Sequence, residues 1–217
     1  MGINLTEMKP IVGKAIEGGL KQAVLSISPY MLESSGAKVV DLNEKLYYGA
    51  FGSVDLYQTY FVAIIRHLNL MPAKFPKGQI NAYGVNKYST LLKMRDVSVQ
   101  IDEQIGIHKN DKFKVDSVAI QELKDVVGML ERNNVKYIIY FHPIPARMYQ
   151  SSVANQVEFR QLVKKIVPDT SRIVDFNTHE QLAFTTDLSN YIDQGHLSDK
   201  GQKTVMDWLY LKMRGLF

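Results

Sequence analysis

The stretch that decides the fold is VKYIIYF, residues 135–141, which His142 and Pro143 follow directly. Its β-branched and aromatic side chains predict a buried β-strand, and the proline predicts where that strand ends. Amphipathic patterns with apolar residues three and four apart predict helices on both sides, at residues 116–133 and 153–166. This part of the chain is therefore predicted to run helix, strand, helix.

The same alternation extends to both ends of the chain. Residues 23–27 and 172–176 predict two more short strands, the first of which ends at Ser28 before a proline. A first helix capped by Thr6 precedes them, and a last helix is predicted from residue 198 to residue 212. Strands that alternate with helices pair in parallel, so we expect an α/β fold, a three-layer α/β/α sandwich with a mainly parallel sheet.

In such a sheet, ligands bind beyond the carboxyl ends of the strands. Three places are therefore of interest: Ser28 after the first predicted strand, His142 after the second, and the segment that follows Phe176. That last segment contains Asp193 and His196, three residues apart and just before the final helix. We expect these residues to meet at one edge of the sheet.

The chain has 217 residues, of which 46% are hydrophobic and 22% charged, an ordinary globular composition. This length favours a single domain over residues 1–217. Residues 30–112 are predicted to form an irregular or helical insertion within it. A helix is predicted over residues 54–70, whereas residues 78–110 show no clear period and predict a long surface excursion.

Composition and motifs exclude several classes of function. The net charge of +4 is too small and too dispersed to indicate nucleic-acid binding. No glycine-rich loop follows a predicted strand, so nucleotide cofactors are not expected, and the histidines have no spacing typical of metal sites. The sequence shows neither a signal peptide nor an apolar run of membrane-spanning length. Because the chain has no cysteine, a nucleophile would have to be a hydroxyl.

Asp193 and His196 are the residues best suited to chemistry. A neutral histidine is a good general base near pH 7 when a carboxylate holds its Nδ1–H, and one short loop can supply both groups. The same spacing is also found in pairs that only stabilise a turn. The spacing alone leaves both interpretations open.

The last conserved block of the SGNH, or GDSL-type, serine hydrolases resembles YIDQGHLSDKG, residues 191–201. In that family an aspartate and a histidine three apart precede a leucine, a small polar residue and a glycine inside the final helix. The run IVDF, residues 173–176, and the strand that ends at His142 are also similar to the family's pattern. The resemblance covers residues 115–217 well and residues 1–30 weakly.

The nearest branch of that family adds or removes O-acyl groups on cell-surface polysaccharides, and includes the alginate acetylation and teichoic-acid alanylation proteins. The resemblance implies an esterase or O-acyltransferase with an acyl-serine intermediate, His196 as general base and Asp193 as the residue that orients it. It implies an acylated glycan or another small ester as substrate, no cofactor, and a place outside the cytoplasm, in the periplasm or cell envelope.

The sequence departs from the family at the nucleophile. The family's serine follows its first strand in a glycine-containing turn, and this chain has neither. Because Gly2 and the two residues after it resemble the family's oxyanion block, we expect the serine and the first strand to lie upstream of Met1. The chain as given would then be a truncated, inactive enzyme. Gly2, Ser28 and His142 are then predicted to form the oxyanion and substrate pocket. Ser26 and Ser28 are the alternative nucleophiles within the chain.

Three other expectations stand beside the enzyme. The chain is alternatively a non-catalytic module that keeps the fold to bind a glycan or a protein partner. His142 is either a turn residue or part of the pocket wall. A parallel sheet without its first strand exposes an edge, so we also expect a homodimer.

Overall fold

The structure is a computed structural model that describes residues 4–34, 54–71 and 96–216. The chain forms two compact units, one made of Met1–Val40 with Leu92–Phe217 and the other of Asp41–Leu91. The described part of the second unit contains one helix, Val54–His67, where the sequence predicts it. The sheet and all candidate site residues other than Gly2, which lies outside the described residues, belong to the described part of the first unit.

The described helices and strands follow the predicted alternation, with additional short helices between them. In chain order they are α1 (Leu5–Glu17), β1 (Gln22–Ile27), α2 (Pro29–Glu33), α3 (Val54–His67), α4 (Val97–His108), α5 (Ser117–Arg132), β2 (Lys136–Phe141), α6 (Ala146–Ser151), α7 (Val153–Ile166), β3 (Ile173–Asp175), α8 (Leu182–Thr186) and α9 (Asp199–Leu216). None of these helices is both long enough and apolar enough to cross a membrane.

The three described strands form one sheet in the order β1-β2-β3, and both pairings are parallel. Val24 pairs with Ile138 and Tyr140 pairs with Val174, so the carboxyl ends of the three strands lie at the same edge. The predicted fold class, α/β with a parallel sheet, is confirmed.

Helices cover both faces of the central strand because its side chains alternate between the faces. Tyr137 and Ile139 lie in a buried cluster with apolar residues of α1, α5 and α7. Ile138 lies in a second cluster on the other face, with Val205 and Leu209 of α9. Tyr137, Ile138 and Ile139, three of the six residues of β2, are fully buried. The sheet is therefore the middle layer of an α/β/α sandwich.

Side-chain caps determine where two of these helices begin. Asp116 and Ser117 are both possible caps of α5 from the sequence, and the structure has Asp116, whose carboxylate accepts the backbone N–H of Val118 at 2.7 Å. The predicted cap of α1 at Thr6 is wrong. Asn4 caps that helix instead and forms a reciprocal capping box with Glu7, whose backbone N–H lies 2.8 Å from the Asn4 side chain.

The sequence shows no clear period over residues 78–110 and predicts a surface excursion there, and the described part of this range contains the helix α4. Asp96 caps this helix through the N–H of Ser98 at 2.7 Å, and Ile101 is its single buried residue. One buried position in a 12-residue helix leaves almost no amphipathic period for the sequence to show. Arg147 of α6 forms an exposed ion pair with Asp102 of α4.

Candidate active site

The loop before α9 is held in a tight hairpin. Tyr191 and Leu197 form an antiparallel bridge, and the N–H of Ile192 donates to the carbonyl of His196 at 2.9 Å. The N–H of Ser198 donates to the carbonyl of Asn190 at 2.8 Å. These contacts fix both ends of the turn that contains residues 193–196.

Within this turn Asp193 holds His196 in a defined orientation. The Asp193 Oδ1 atom accepts the backbone N–H groups of Gly195 and His196, each at 2.7 Å. Its Oδ2 atom lies 2.8 Å from Nδ1 of the His196 ring. Because a carboxylate accepts, Nδ1 carries the proton of the neutral ring and Nε2 keeps its lone pair. The two residues lie together as the sequence predicts.

The glycine that follows in α9 lets the helix pack against this loop. A Cβ atom at Gly201 would lie 2.2 Å from the carbonyl oxygen of Asn190, far inside contact distance. The N–H of Gly201 also donates to the Ser198 Oγ at 3.2 Å, which satisfies a backbone group of the first turn. The leucine, small polar residue and glycine after His196 therefore position the loop that carries it.

A cavity of about 410 Å³ opens at the carboxyl ends of β1 and β2, beside this loop. Its polar wall includes Ser28, His142 and His196, so three of the residues predicted to meet do so. The other lining residues are Ser26, Ile27, Pro29, Tyr30, Phe141, Ile144, Gln156, Phe159, Asn177 and Gly195. The side chain of His196 is 73% exposed, so its ring is accessible to a molecule that enters.

His142 forms a different part of the wall. Its Nε2 atom is buried and has no hydrogen-bond partner among the described residues. Burial, and then the nearby ring of His196, lower the pKa of His142 to about 4, although the backbone of Gly195 acts in the opposite direction. His142 is therefore neutral at physiological pH and offers a polar but uncharged surface. The structure places it in the pocket wall.

Asn177 is a site residue that the sequence analysis missed. Its Oδ1 accepts the N–H of Ile144 at 2.8 Å, and its Nδ2 donates to the carbonyl of His142 at 2.9 Å. It thus ties the end of β3 to the turn after β2 and fixes the backbone on both sides of the proline. Its position, two residues after β3 at the functional edge, is the signal that could have identified it.

A largely buried ion pair joins α7 to the end of β3 near this cavity. The Nε atom of Arg160, on α7, lies 2.6 Å from Asp175 Oδ2, and a second guanidinium nitrogen donates to the Tyr149 hydroxyl at 2.6 Å. The Arg160 guanidinium also lies over the Tyr149 ring, 4.6 Å from its centroid. Since both charged groups have partners, this network gives rigidity to the wall and leaves its own charges compensated.

The nucleophile is the component that the described residues do not place. In the described part of the chain, Asp193 is the hydrogen-bond partner of the His196 ring, and no serine hydroxyl bonds to Nε2. Ser28 lies in the cavity wall as the residue that precedes α2, and it makes no capping hydrogen bond with its side chain. Among the described residues, no cluster of three or more His, Asp or Glu side chains is arranged to hold a metal.

Comparison with protein-family models, with curated proteins and with solved structures finds no match for this chain. The site is therefore defined by its own geometry: an aspartate–histidine pair beside a cavity at the carboxyl edge of a parallel sheet.

Proposed function

We propose that this chain is an SGNH-like carbohydrate O-acyl esterase or O-acyltransferase, with His196 as general base and Asp193 as its orienting carboxylate. One observation carries the proposal: the Asp193 carboxylate holds Nδ1 of His196 at 2.8 Å at the mouth of a cavity of about 410 Å³. An aspartate–histidine pair that only stabilises a turn has no need of a cavity beside the histidine ring. Here the accessible ring borders one.

The reaction that fits is acyl transfer through a serine ester. His196 Nε2 takes the proton of a serine hydroxyl as the oxygen attacks the acyl carbon, and then returns it to the oxygen of the leaving alcohol. Water or a sugar hydroxyl next gives its proton to His196 as its oxygen attacks the acyl carbon, and His196 returns that proton to the serine oxygen as the ester bond to the serine breaks. The imidazolium that forms in each half is stabilised by Asp193, which lies within hydrogen-bond distance.

The shape and chemistry of the cavity suit a small ester of a polar alcohol. Its wall mixes the rings of Tyr30 and Phe159 with the polar groups of Ser26 and Gln156 and the neutral His142. Aromatic faces next to hydrogen-bonding groups match the alternating apolar and polar surfaces of a sugar. An acylated glycan is therefore the proposed substrate, and a place in the periplasm or cell envelope is proposed with it.

Labelling with a fluorophosphonate probe tests the proposal. We expect the protein encoded by the whole reading frame that contains this chain to be labelled at a serine, with labelling lost in His196→Ala and strongly reduced in Asp193→Asn. Peptide mapping then identifies the nucleophile, and Ser26→Ala and Ser28→Ala show whether either cavity serine is that residue. Labelling that survives in His196→Ala contradicts the proposal.

The second candidate is a non-catalytic module that binds a glycan or a protein partner with the same cavity. It is favoured by the lack, among the described residues, of a hydroxyl bonded to His196. It predicts no labelling of the wild-type protein, together with binding of an acetylated oligosaccharide that His196→Ala leaves intact. Isothermal calorimetry on both proteins separates the two candidates.

A further inference from the structure

Among the described residues, the outer edge of β1 is the longer of the two unpaired edges of the sheet. β1 is the first strand in the order β1-β2-β3, and no described residue pairs with its other side. Alternate N–H and C=O groups of Gln22–Ile27 therefore face outward without a β-sheet partner. An extended strand is the structure that satisfies such a row of groups.

The two edges of the sheet differ in how they are protected. At the opposite edge β3 has three residues, and one of them, Asp175, is charged. Shortness and charge are the usual means by which an edge strand avoids pairing with another chain. β1 has six residues, QAVLSI, with no charge and no proline. The unprotected edge is therefore β1.

Exposed apolar side chains accompany this edge. Val24, in the middle of β1, is 44% exposed although valine is among the residues most often buried. Met206 and Tyr210 of α9, the helix that covers this face of the sheet, are also exposed. A groove lined by Gln22, Tyr210, Met213 and Arg214 lies between the beginning of β1 and the end of α9. A strand added at this edge would shield part of this surface from water.

We propose that β1 pairs antiparallel with β1 of a second copy of this chain, across a two-fold axis at Val24. Charge favours a second copy as the occupant, because two uncharged strands place no like charges opposite each other. A two-fold axis perpendicular to the sheet keeps each face on its own side, so the two three-stranded sheets join into one continuous sheet.

The position of the axis follows from burial. An axis at Leu25 would bring together two leucines that are already only 7% exposed, whereas an axis at Val24 brings together the two exposed valines. Directly opposite side chains in an antiparallel pair have Cβ atoms about 5 Å apart. The two Val24 side chains would thus cover each other and lose exposed apolar surface in both copies.

Disulfide cross-linking tests this pairing. Because the chain has no cysteine, a single introduced cysteine has no other thiol of the chain to react with. In Val24→Cys, mild oxidation is expected to join two copies through a disulfide, since opposite positions allow the required geometry. Val157→Cys on α7 is the matched control, because Val157 is 42% exposed and far from any strand in sequence. A preformed dimer should give a Val24→Cys disulfide at least about tenfold faster than the control.

Light scattering completes the test without a disulfide. The wild-type protein and Val157→Lys are expected to be dimers, and Val24→Lys a monomer with an unchanged far-ultraviolet circular dichroism spectrum. A monomeric wild-type protein overturns the proposal. A dimer in which Val24→Cys reacts no faster than Val157→Cys overturns the pairing at Val24. Both readouts are independent of catalysis, so the proposed function can fail without affecting this result.

Discussion

His196 and His142 border the same cavity, yet the structure treats them in opposite ways. His196 lies on a loop, is 73% exposed, and has a carboxylate at 2.8 Å on Nδ1. His142 lies at the end of a buried strand, has no partner for Nε2 among the described residues, and is held neutral by burial. A general base needs both access to the substrate and a carboxylate that orients its ring. Of these two histidines, His196 has both.

The largest expected effect separates the two histidines by function. In His196→Ala, hydrolysis of a chromogenic acetyl ester should fall about 10²–10⁴-fold, the usual contribution of a general base. In His142→Gln, which keeps a neutral polar side chain, the expected loss is about fivefold, the value of one neutral hydrogen bond. Equal losses in both variants would contradict the assignment of His196 as the base and His142 as a residue of the cavity wall.

The second prediction concerns the packing that holds the His196 loop. Gly201→Ala should destabilise the fold by about 3 kcal/mol, because the new methyl group meets the Asn190 carbonyl. Gly106→Ala, in α4, is the control. A Cβ atom added there would have no neighbouring atom within 4 Å, and alanine should stabilise α4 by up to about 1 kcal/mol. Urea unfolding measures both, and a neutral Gly201→Ala would show that the loop does not depend on this contact.

The third prediction uses the neutrality of His142. Its pKa falls from 6.5 to about 4 on folding, so in this range the unfolded chain binds a proton that the folded chain does not. Stability should therefore decrease as the pH falls through this window, by about 2 kcal/mol between pH 7 and pH 5.

The matched variants isolate that contribution. His142→Gln should remove this part of the pH dependence in urea unfolding, whereas His179→Gln, at an exposed position, should retain it. If the wild-type protein and His142→Gln lose stability equally on acidification, His142 is not the neutral wall residue described here.

The smallest effect is expected at Tyr191, which begins the His196 loop. Its hydroxyl is buried without a hydrogen-bond partner among the described residues, and burial raises the pKa of this phenol. Tyr191→Phe removes the unsatisfied group and should stabilise the protein by about 1 kcal/mol. Tyr210→Phe, at a 61% exposed position, should be neutral. Thermal unfolding distinguishes these outcomes, and destabilisation by Tyr191→Phe would indicate that the hydroxyl is bonded.

The sequence predicted the parts of the fold that have strong local patterns. The apolar run of β2 and the period of α5 are visible in a single stretch of residues, and both elements lie where predicted. Helix α4 was missed because its one buried residue, Ile101, provides no period. The location of the candidate site at one edge of the sheet was also predictable, because the carboxyl ends of parallel strands lie at the same edge.

The candidate site was predictable where its residues are neighbours in sequence. Asp193 and His196 are three apart, so their contact depends on one turn. The hydrogen bonds of Asn177 join it to residues 33 and 35 positions away in the sequence. The close packing at Gly201 depends on the backbone oxygen of Asn190, which a sequence does not display. Such contacts are products of the tertiary fold.

The protonation state of the His196 ring tests the central claim most directly. Nitrogen-15 chemical shifts of the two ring nitrogens, recorded where the ring is neutral, report which one carries the proton. We predict a protonated Nδ1 and an unprotonated Nε2 in the wild-type protein, with this preference lost in Asp193→Asn. A neutral ring protonated at Nε2, or one that does not respond to Asp193→Asn, would contradict the assignment of His196 as a base oriented by Asp193.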